Sequence, residues 1–320
     1  MKDSTRGSLT PMRTDGELGR SGSEGGASRV ANQQVAAWIA KPGSADTVVP
    51  MTSLSTTQFP RRIDADTFEQ AADSYGLDPE LSSAAAVTYA RGSSVTFGLS
   101  GKQGSGKDTI AVEVAACLQL TDPLHLSFAA PMKDEADLLL GIIRLADSPN
   151  AASKRIADDF NVSLGEAEEV VSIAWDEARS NPRLQSRDRC PVTRSLLQFW
   201  GTEVRRAQDV DYWVRLALRD ALPDLVAGRP IYMTDVRFTN EAIAAQRFGF
   251  WVARLEVSQK VQQQRLLERD GKLPAPEAFT HSSETELDTY PSFDLVVDND
   301  GPIGPTVDEL VALLTGSSHS

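Results

Sequence analysis

Short apolar runs alternate with amphipathic stretches from residue 95 to the end of the chain. Five apolar, β-prone runs predict strands at residues 95–99, 124–128, 230–234, 250–257 and 293–297. Apolar positions at helical spacing predict helices at residues 108–118, 132–145, 192–206, 212–225, 240–248, 259–269 and 307–314, with a polar, helix-rich insertion at 151–179. This alternation predicts an α/β fold with a parallel sheet of about five strands and helices on both faces.

The N-terminal part of the chain does not share this pattern. Residues 1 to about 60 are rich in Ser, Gly, Thr and Ala and poor in large apolar residues, which is typical of a disordered tail. Short helical patterns occur at residues 35–40 and 66–75, where Phe68, Ala71 and Ala72 share a face; each is either a docking segment or a residual pattern. We therefore expect residues 1–94 to be a largely disordered tail or linker and residues 95–320 to form the folded domain.

Composition limits the partners of this domain. Of the 320 residues, 41% are hydrophobic, which is enough for a sizeable core. The net charge of −13 opposes attraction to a polyanion such as DNA. No stretch approaches the roughly 20 apolar residues that a bilayer span needs. We expect a cytosolic protein, in the host cytoplasm if the chain is viral, with no membrane and no stable nucleic-acid partner.

A glycine-rich loop follows the first predicted strand. Residues 99–109 read LSGKQGSGKDT and lead directly into a predicted helix. Glycines let consecutive amide groups point at phosphate oxygens, a lysine adds positive charge at the β and γ phosphates, and the helix dipole favours an anion at its N-terminus. The pattern predicts a nucleotide-binding loop formed by Gly101, Gly104, Ser105, Gly106, Lys107, Asp108 and Thr109.

The loop departs from the usual pattern at the position that binds magnesium. Asp108 replaces the Ser or Thr that normally follows the lysine, and Thr109 comes one residue later. Either the Thr109 hydroxyl binds the metal in a shifted geometry, or phosphates and water hold it. Asp235, at the end of a predicted strand, is a second candidate for the metal, with helix capping as its alternative role.

Several further motifs resemble the bacteriophage deoxynucleoside monophosphate kinases. Besides the loop, they are LLQFWGTEVRRAQDVDYWV (196–214), TDVRFTNEA (234–242), the arginines of QRLLERD (264–270), HSSE (281–284) and FDLVVDNDG (293–301). The resemblance covers most of residues 95–315, is loose over 151–190 and does not extend to 1–94. The order of these motifs is far more specific than the glycine loop alone.

The resemblance implies transfer of the ATP γ-phosphoryl group to a deoxynucleoside monophosphate, with Mg²⁺, on the P-loop nucleoside triphosphate hydrolase fold in its nucleoside-monophosphate-kinase form. It implies a helical acceptor-side insertion at about 130–225 and a lid at about 258–290. Because guanidinium groups grip phosphate bidentately, Arg205, Arg206 and Arg237 are candidates for the acceptor phosphate. Arg265 and Arg269, four residues apart, are candidates for closing over the transferring group, so that they act with Lys107 and Arg237 in catalysis.

Other residues and functions remain as alternatives. Lys133 follows the second strand and is expected to touch a nucleotide; Trp213 is expected to contact the acceptor base, whereas Trp200 is expected to pack in the core. For His281 we expect a structural hydrogen bond. A kinase acting on a hydroxymethylated base in DNA and a non-kinase ATP-binding switch are the competing functions. The sequence does not decide between a monomer and a homodimer.

Overall fold

A computed structural model describes residues 59–92 and 94–317, and for Glu277 the backbone alone. Its five strands are β1 (Thr96–Gly101), β2 (Leu124–Leu126), β3 (Ile231–Val236), β4 (Trp251–Glu256) and β5 (Leu295–Asp298). They form one sheet in the order β2-β3-β1-β4-β5, and every pair is parallel. The predicted α/β class and the five-stranded parallel sheet are confirmed.

The described helices occupy the connections between strands and both ends of the domain. They are α1 (Ala65–Ser74), α2 (Pro79–Ala90), α3 (Lys107–Cys117), α4 (Ala130–Leu145), α5 (Pro149–Phe160), α6 (Leu164–Ser180), α7 (Pro191–Gln198), a π-helix (Phe199–Arg206), α8 (Tyr212–Val226), α9 (Thr239–Arg247), α10 (Gln259–Asp270), α11 (Glu277–Thr280), α12 (Ser282–Thr285), a 3₁₀ helix (Glu286–Thr289) and α13 (Ile303–Thr315). None of these described helices is long and apolar enough to cross a membrane.

Apolar residues cover both faces of the sheet. Along β4, Val252 belongs to a core shared with α1, α2, α8 and α9, whereas Ala253 and Leu255 belong to a core shared with α3 and α13. Side chains of a strand alternate between its two faces, so one strand contributes to both cores. The expectation of helices on both faces is confirmed.

The connection between β2 and β3 contains its own apolar core. Residues of α4, α5, α6 and the π-helix are buried together there, with Trp200 and Leu139 fully inaccessible to solvent. Ser163 begins α6 with a capping box to Glu166, and Asn161, at φ 50°, separates α5 from α6. The polar insertion predicted at 151–179 is thus two helices of a small bundle attached to the sheet.

Helices α1 and α2 correct the predicted boundary at residue 94. Phe68, Ala71 and Ala72 form the buried face of α1, and the Phe68 ring packs 5.8 Å from Tyr89 and 5.2 Å from Phe248, between ring centroids. The expectation of a tail is therefore wrong for residues 65–90, because their few large apolar side chains are buried in the same core as the apolar residues of α9. The helical pattern at residues 35–40 lies outside the described residues.

The packing of α1 makes a direct prediction for stability. Phe68→Ala should lower the free energy of unfolding by about 3–5 kcal/mol, because the substitution leaves a cavity beside Phe248. Leu81→Ala, at an exposed position of α2, is the matched control and should change it by less than about 0.5 kcal/mol. Urea denaturation measures both. Equal midpoints for Phe68→Ala and the unsubstituted chain would show that α1 does not stabilise the domain.

Candidate active site

The glycine-rich loop joins the end of β1 to the start of α3 in very tight packing. A Cβ at Gly101 would lie 2.6 Å from the Ser105 Oγ and 2.7 Å from the Leu255 carbonyl oxygen. Gly104 and Gly106 have φ values of 81° and 90°, which side chains rarely adopt. The loop backbone therefore requires glycine at all three predicted positions, and α3 begins directly behind it.

Lys107 lies with its ammonium group inside this loop. Its Nζ donates to the carbonyl oxygens of Gly101 at 2.7 Å and Lys102 at 3.0 Å. Burial lowers the pKa of Lys107 to about 8, and the positive charge of Arg237 adds to this effect while the carboxylate of Glu284 opposes it. The loop therefore holds a buried cation at the position predicted for a phosphate contact.

Helix α10 and the segment after β5 brace the other side of the loop. Arg265 donates to the Asn299 carbonyl oxygen at 2.7 Å and to the Ser105 carbonyl oxygen at 3.4 Å, and Asn299 Nδ2 donates to the same Ser105 oxygen at 2.8 Å. Arg269 instead forms an ion pair with its neighbour Asp270. Of the two predicted lid arginines, the structure places only Arg265 against the loop.

A cleft of about 580 Å³ opens beside the glycine loop. Gln103 of the loop lines it, together with Asp235 near the end of β3, Arg237 directly after β3, Arg206 of the π-helix and Glu284 of α12. Cleft and loop lie at the carboxyl ends of the parallel strands, where ligands of such sheets bind. The structure thus brings the predicted residues Arg206, Asp235 and Arg237 together in one cleft, beside Gln103 and Glu284, which were not predicted site residues.

Asp235 lies on β3, which extends two residues further than predicted because Val236 pairs with Ser100 of β1. Its Oδ2 accepts hydrogen bonds from the Ser127 hydroxyl at 2.6 Å and from the Ala129 amide at 3.1 Å. Its Oδ1 is buried and has no hydrogen-bond partner in the described part of the chain. A buried carboxylate oxygen without a donor is a candidate ligand for a cation.

Arg237 and Glu284 connect the cleft to the glycine loop. Arg237 forms an ion pair with the Glu284 carboxylate, whose other oxygen accepts a hydrogen bond from the Gln103 amide at 2.6 Å. Glu284 is 8% exposed. Glu284 is the last residue of the HSSE motif but was not a predicted site residue. The HSSE motif was the sequence signal that could have identified it.

Arg206 also has a carboxylate partner within the cleft. Its Nη2 donates to Glu241 Oε1 at 2.6 Å, and its guanidinium lies 3.9 Å from the centroid of the Phe238 ring. Burial raises the pKa of Glu241 to about 7, although the Arg206 charge opposes the shift. The other Glu241 oxygen accepts from the Arg237 amide at 2.8 Å. Glu241 therefore fixes Arg206 by its side chain and Arg237 by its backbone.

The π-helix Phe199–Arg206 ends with two adjacent arginines whose side chains point to different surroundings. Such helices are rare and occur frequently at functional sites. Arg206 lines the cleft, whereas Arg205 turns away from it and donates to Glu135 Oε2 and to the Phe160 carbonyl oxygen, both at 3.0 Å. The expectation that Arg205 binds an acceptor is not supported, because its guanidinium is buried in an ion pair and stacks on Trp200 and Tyr212 at 4.7 Å.

The aromatic predictions have different outcomes. Trp200 is fully buried in the helical core, as expected. Trp213 lines the cleft but is only 2% exposed, and its Nε1 donates to the Gly201 carbonyl oxygen at 3.0 Å. The expected structural hydrogen bond of His281 is confirmed, since its Nδ1 accepts from the Ser283 amide at the start of α12.

The remaining predicted residues lie outside the cleft wall. Lys133 is half-buried in the first turn of α4 and is not among the lining residues. Asp108 and Thr109 are exposed in the first turn of α3. The described residues contain no group of three or more His, Cys, Asp or Glu side chains that could hold a metal. A divalent ion bound by Asp235 would complete its coordination with phosphate or water oxygens.

Comparisons with known proteins assign the chain to no family. No protein-family model matches it, and no curated protein matches it. Among solved structures, the crystal structure of TT1252 from Thermus thermophilus is similar, with a TM-score of 0.40 and 16% identity over 71% of this chain and 99% of that chain. This likeness is too weak to carry an argument about function, which therefore rests on the geometry of the site.

Proposed function

We propose that this protein transfers the γ-phosphoryl group of ATP to the phosphate of a deoxynucleoside monophosphate. One observation carries the proposal: a glycine loop that holds a buried lysine borders, through Gln103, a cleft lined by three arginines at the carboxyl edge of a parallel sheet. Two polyanions can react only where cations neutralise both of them and the group between them. The loop and the adjoining cleft together offer cations for the donor and the acceptor phosphates.

The donor side is the glycine loop. Lys107 would exchange its bonds to loop carbonyl oxygens for bonds to the β and γ phosphates of ATP, at the N-terminus of α3. Arg265, braced against the same loop, would lie beside the nucleotide. The strand order and the strand–loop–helix succession support assigning the chain to the P-loop nucleoside triphosphate hydrolase fold.

The acceptor side is the opposite wall of the cleft. Arg237, Arg206 and Arg194 are the arginines that line the cleft. Arg237 and Arg206 each now contact a carboxylate that a phosphate could replace. Met132 and Leu197, both partly exposed in the cleft wall, supply apolar surface against which a base could pack. A regulatory ATP-binding module would not need this second set of cations.

The donor atoms of the site fit Mg²⁺. Asp235 would hold the ion directly or through water, because its Oδ1 is a buried oxygen without a partner among the described residues. Bound Mg²⁺ would neutralise charge on the ATP phosphates. Thr109, exposed in the first turn of α3, would offer a hydroxyl oxygen to an ion held by the ATP phosphates.

Incubation with ATP, Mg²⁺ and each deoxynucleoside monophosphate, followed by separation of the products, tests the proposal. We expect ADP and a deoxynucleoside diphosphate in equal amounts. Phosphorylated DNA in a parallel reaction with hydroxymethylated duplex would support the competing DNA kinase instead. ADP formed at the same slow rate with and without any acceptor would support the ATP-binding switch.

The buried ammonium of Lys107 predicts a pH dependence. Because the pKa of Lys107 is lowered to about 8, the group loses its charge as the pH rises through this value. kcat/KM reports ionisations of the free enzyme, so kcat/KM for ATP should fall above about pH 8. A pH profile at saturating Mg²⁺ measures it. A profile that stays flat well beyond this pH would contradict a phosphate contact by the Lys107 ammonium.

A further inference from the structure

We propose that the Glu284 carboxylate occupies part of both phosphate sites in the free protein and that either substrate displaces it. ATP and the acceptor therefore strengthen each other's binding. The inference rests on the proposed function and assigns Glu284 a positioning role in it. It arises from one buried carboxylate that contacts both substrate sites at once. One oxygen accepts from the Gln103 amide of the glycine loop, and the other pairs with Arg237.

Both partners of Glu284 are groups suited to phosphate. A glycine-loop amide binds phosphate oxygens through its N–H, and a guanidinium binds them in pairs. Glu284 occupies both with negatively charged oxygens at hydrogen-bond distance, 2.6 Å in the case of the Gln103 amide. In this conformation the carboxylate fills the position where a transferred phosphoryl group would lie between the donor loop and the acceptor arginine.

The segment that carries Glu284 is attached to the domain by three acidic residues spaced two apart. Glu286 accepts from the Thr239 amide at 2.8 Å, and Asp288 forms ion pairs with Lys102 and Arg254. Among these three, only Glu284 lines the cleft. The neighbouring contacts can therefore keep the segment in place while the Glu284 side chain leaves the phosphate position.

Sharing one carboxylate couples the two sites. ATP must break the contact with the Gln103 amide, and the acceptor must break the contact with Arg237. Whichever ligand binds first moves the carboxylate, so the second meets a site that is already vacated. Thermodynamic linkage requires the effect to be reciprocal, so each ligand must raise the affinity for the other by the same factor.

Calorimetric titration with a non-hydrolysable ATP analogue and Mg²⁺, with and without saturating deoxynucleoside monophosphate, tests the coupling. Each of the four standard deoxynucleoside monophosphates is used in turn. In the unsubstituted protein, we expect the acceptor to tighten binding of the analogue by about tenfold, the scale of one displaced charge-assisted contact. In Glu284→Gln, the analogue should bind the acceptor-free protein about tenfold more tightly, and the acceptor should add little.

Glu286→Gln is the matched control, since Glu286 lies on the same segment outside the cleft and should leave the coupling intact. Independent binding of the two ligands to the unsubstituted protein would overturn the inference, whether or not Glu284→Gln folds. Weaker binding of the analogue to a folded Glu284→Gln protein would also overturn it. If neither ligand bound the unsubstituted protein, the result would contradict the proposed function itself. Failure of the proposed function is thereby distinguished from failure of the coupling.

Discussion

Lys107→Ala should lower the rate of phosphoryl transfer by about 10²-fold or more, the usual effect of removing one preorganised electrostatic contact in an active site. The loss follows from the position of the ammonium group, which is buried in the glycine loop and, among the described residues, bonded only to loop oxygens. Because Lys107 Nζ supports no apolar packing, the variant should still fold. Steady-state rates together with a thermal unfolding curve measure both properties.

Lys154→Ala is the matched control for this experiment. Lys154 is exposed on α5, so its removal should leave both the rate and the unfolding temperature unchanged. A folded Lys107→Ala protein with near-normal turnover would show that the glycine loop is not part of the active site.

Arg237→Ala should lower kcat/KM for the deoxynucleotide by about tenfold to more than a hundredfold, the effect of losing a charge-assisted phosphate contact. Arg237 lines the cleft and pairs with Glu284, whereas Lys107 serves the donor loop. Affinity for an ATP analogue should therefore change by a much smaller factor. Acceptor kinetics and analogue binding must be measured on the same variant.

Arg247→Ala, an exposed substitution at the end of α9, provides the control for the loss of one positive charge outside the cleft lining. It should leave both quantities unchanged. A larger loss of ATP affinity than of acceptor use in Arg237→Ala would mean that the donor and acceptor sides are assigned in the wrong order.

The sheet and the glycine loop could be predicted because their signals are local. Alternation of apolar runs with helical spacing identifies parallel strands within a few residues of their observed bounds, and loop glycines are fixed by their own backbone geometry. The end of β3 was missed because pairing of Val236 with Ser100 depends on a strand more than a hundred residues away. Local patterns cannot specify such pairing.

The remaining differences come from tertiary packing. Nothing in the sequence distinguishes Arg205 from Arg206, yet in the structure Arg205 pairs with Glu135 and Arg206 with Glu241. Helix α1 has low overall hydrophobicity, but the ring of its single phenylalanine packs edge-on against the ring of Phe248. The contacts of Glu284 with Gln103 and Arg237 exist only because α12 packs against the glycine loop in the folded protein. These features depend on long-range contacts and therefore require the structure.

The central claim is that one cleft holds the donor and acceptor phosphates end to end. The most direct test is the affinity of a bisubstrate ligand in which adenosine and a deoxynucleoside are joined through a polyphosphate chain. It should bind about 10²-fold or more tightly than the ATP analogue, because the second half binds at high effective concentration, and both Lys107→Ala and Arg237→Ala should weaken it. Binding no tighter than that of the ATP analogue would contradict a shared cleft.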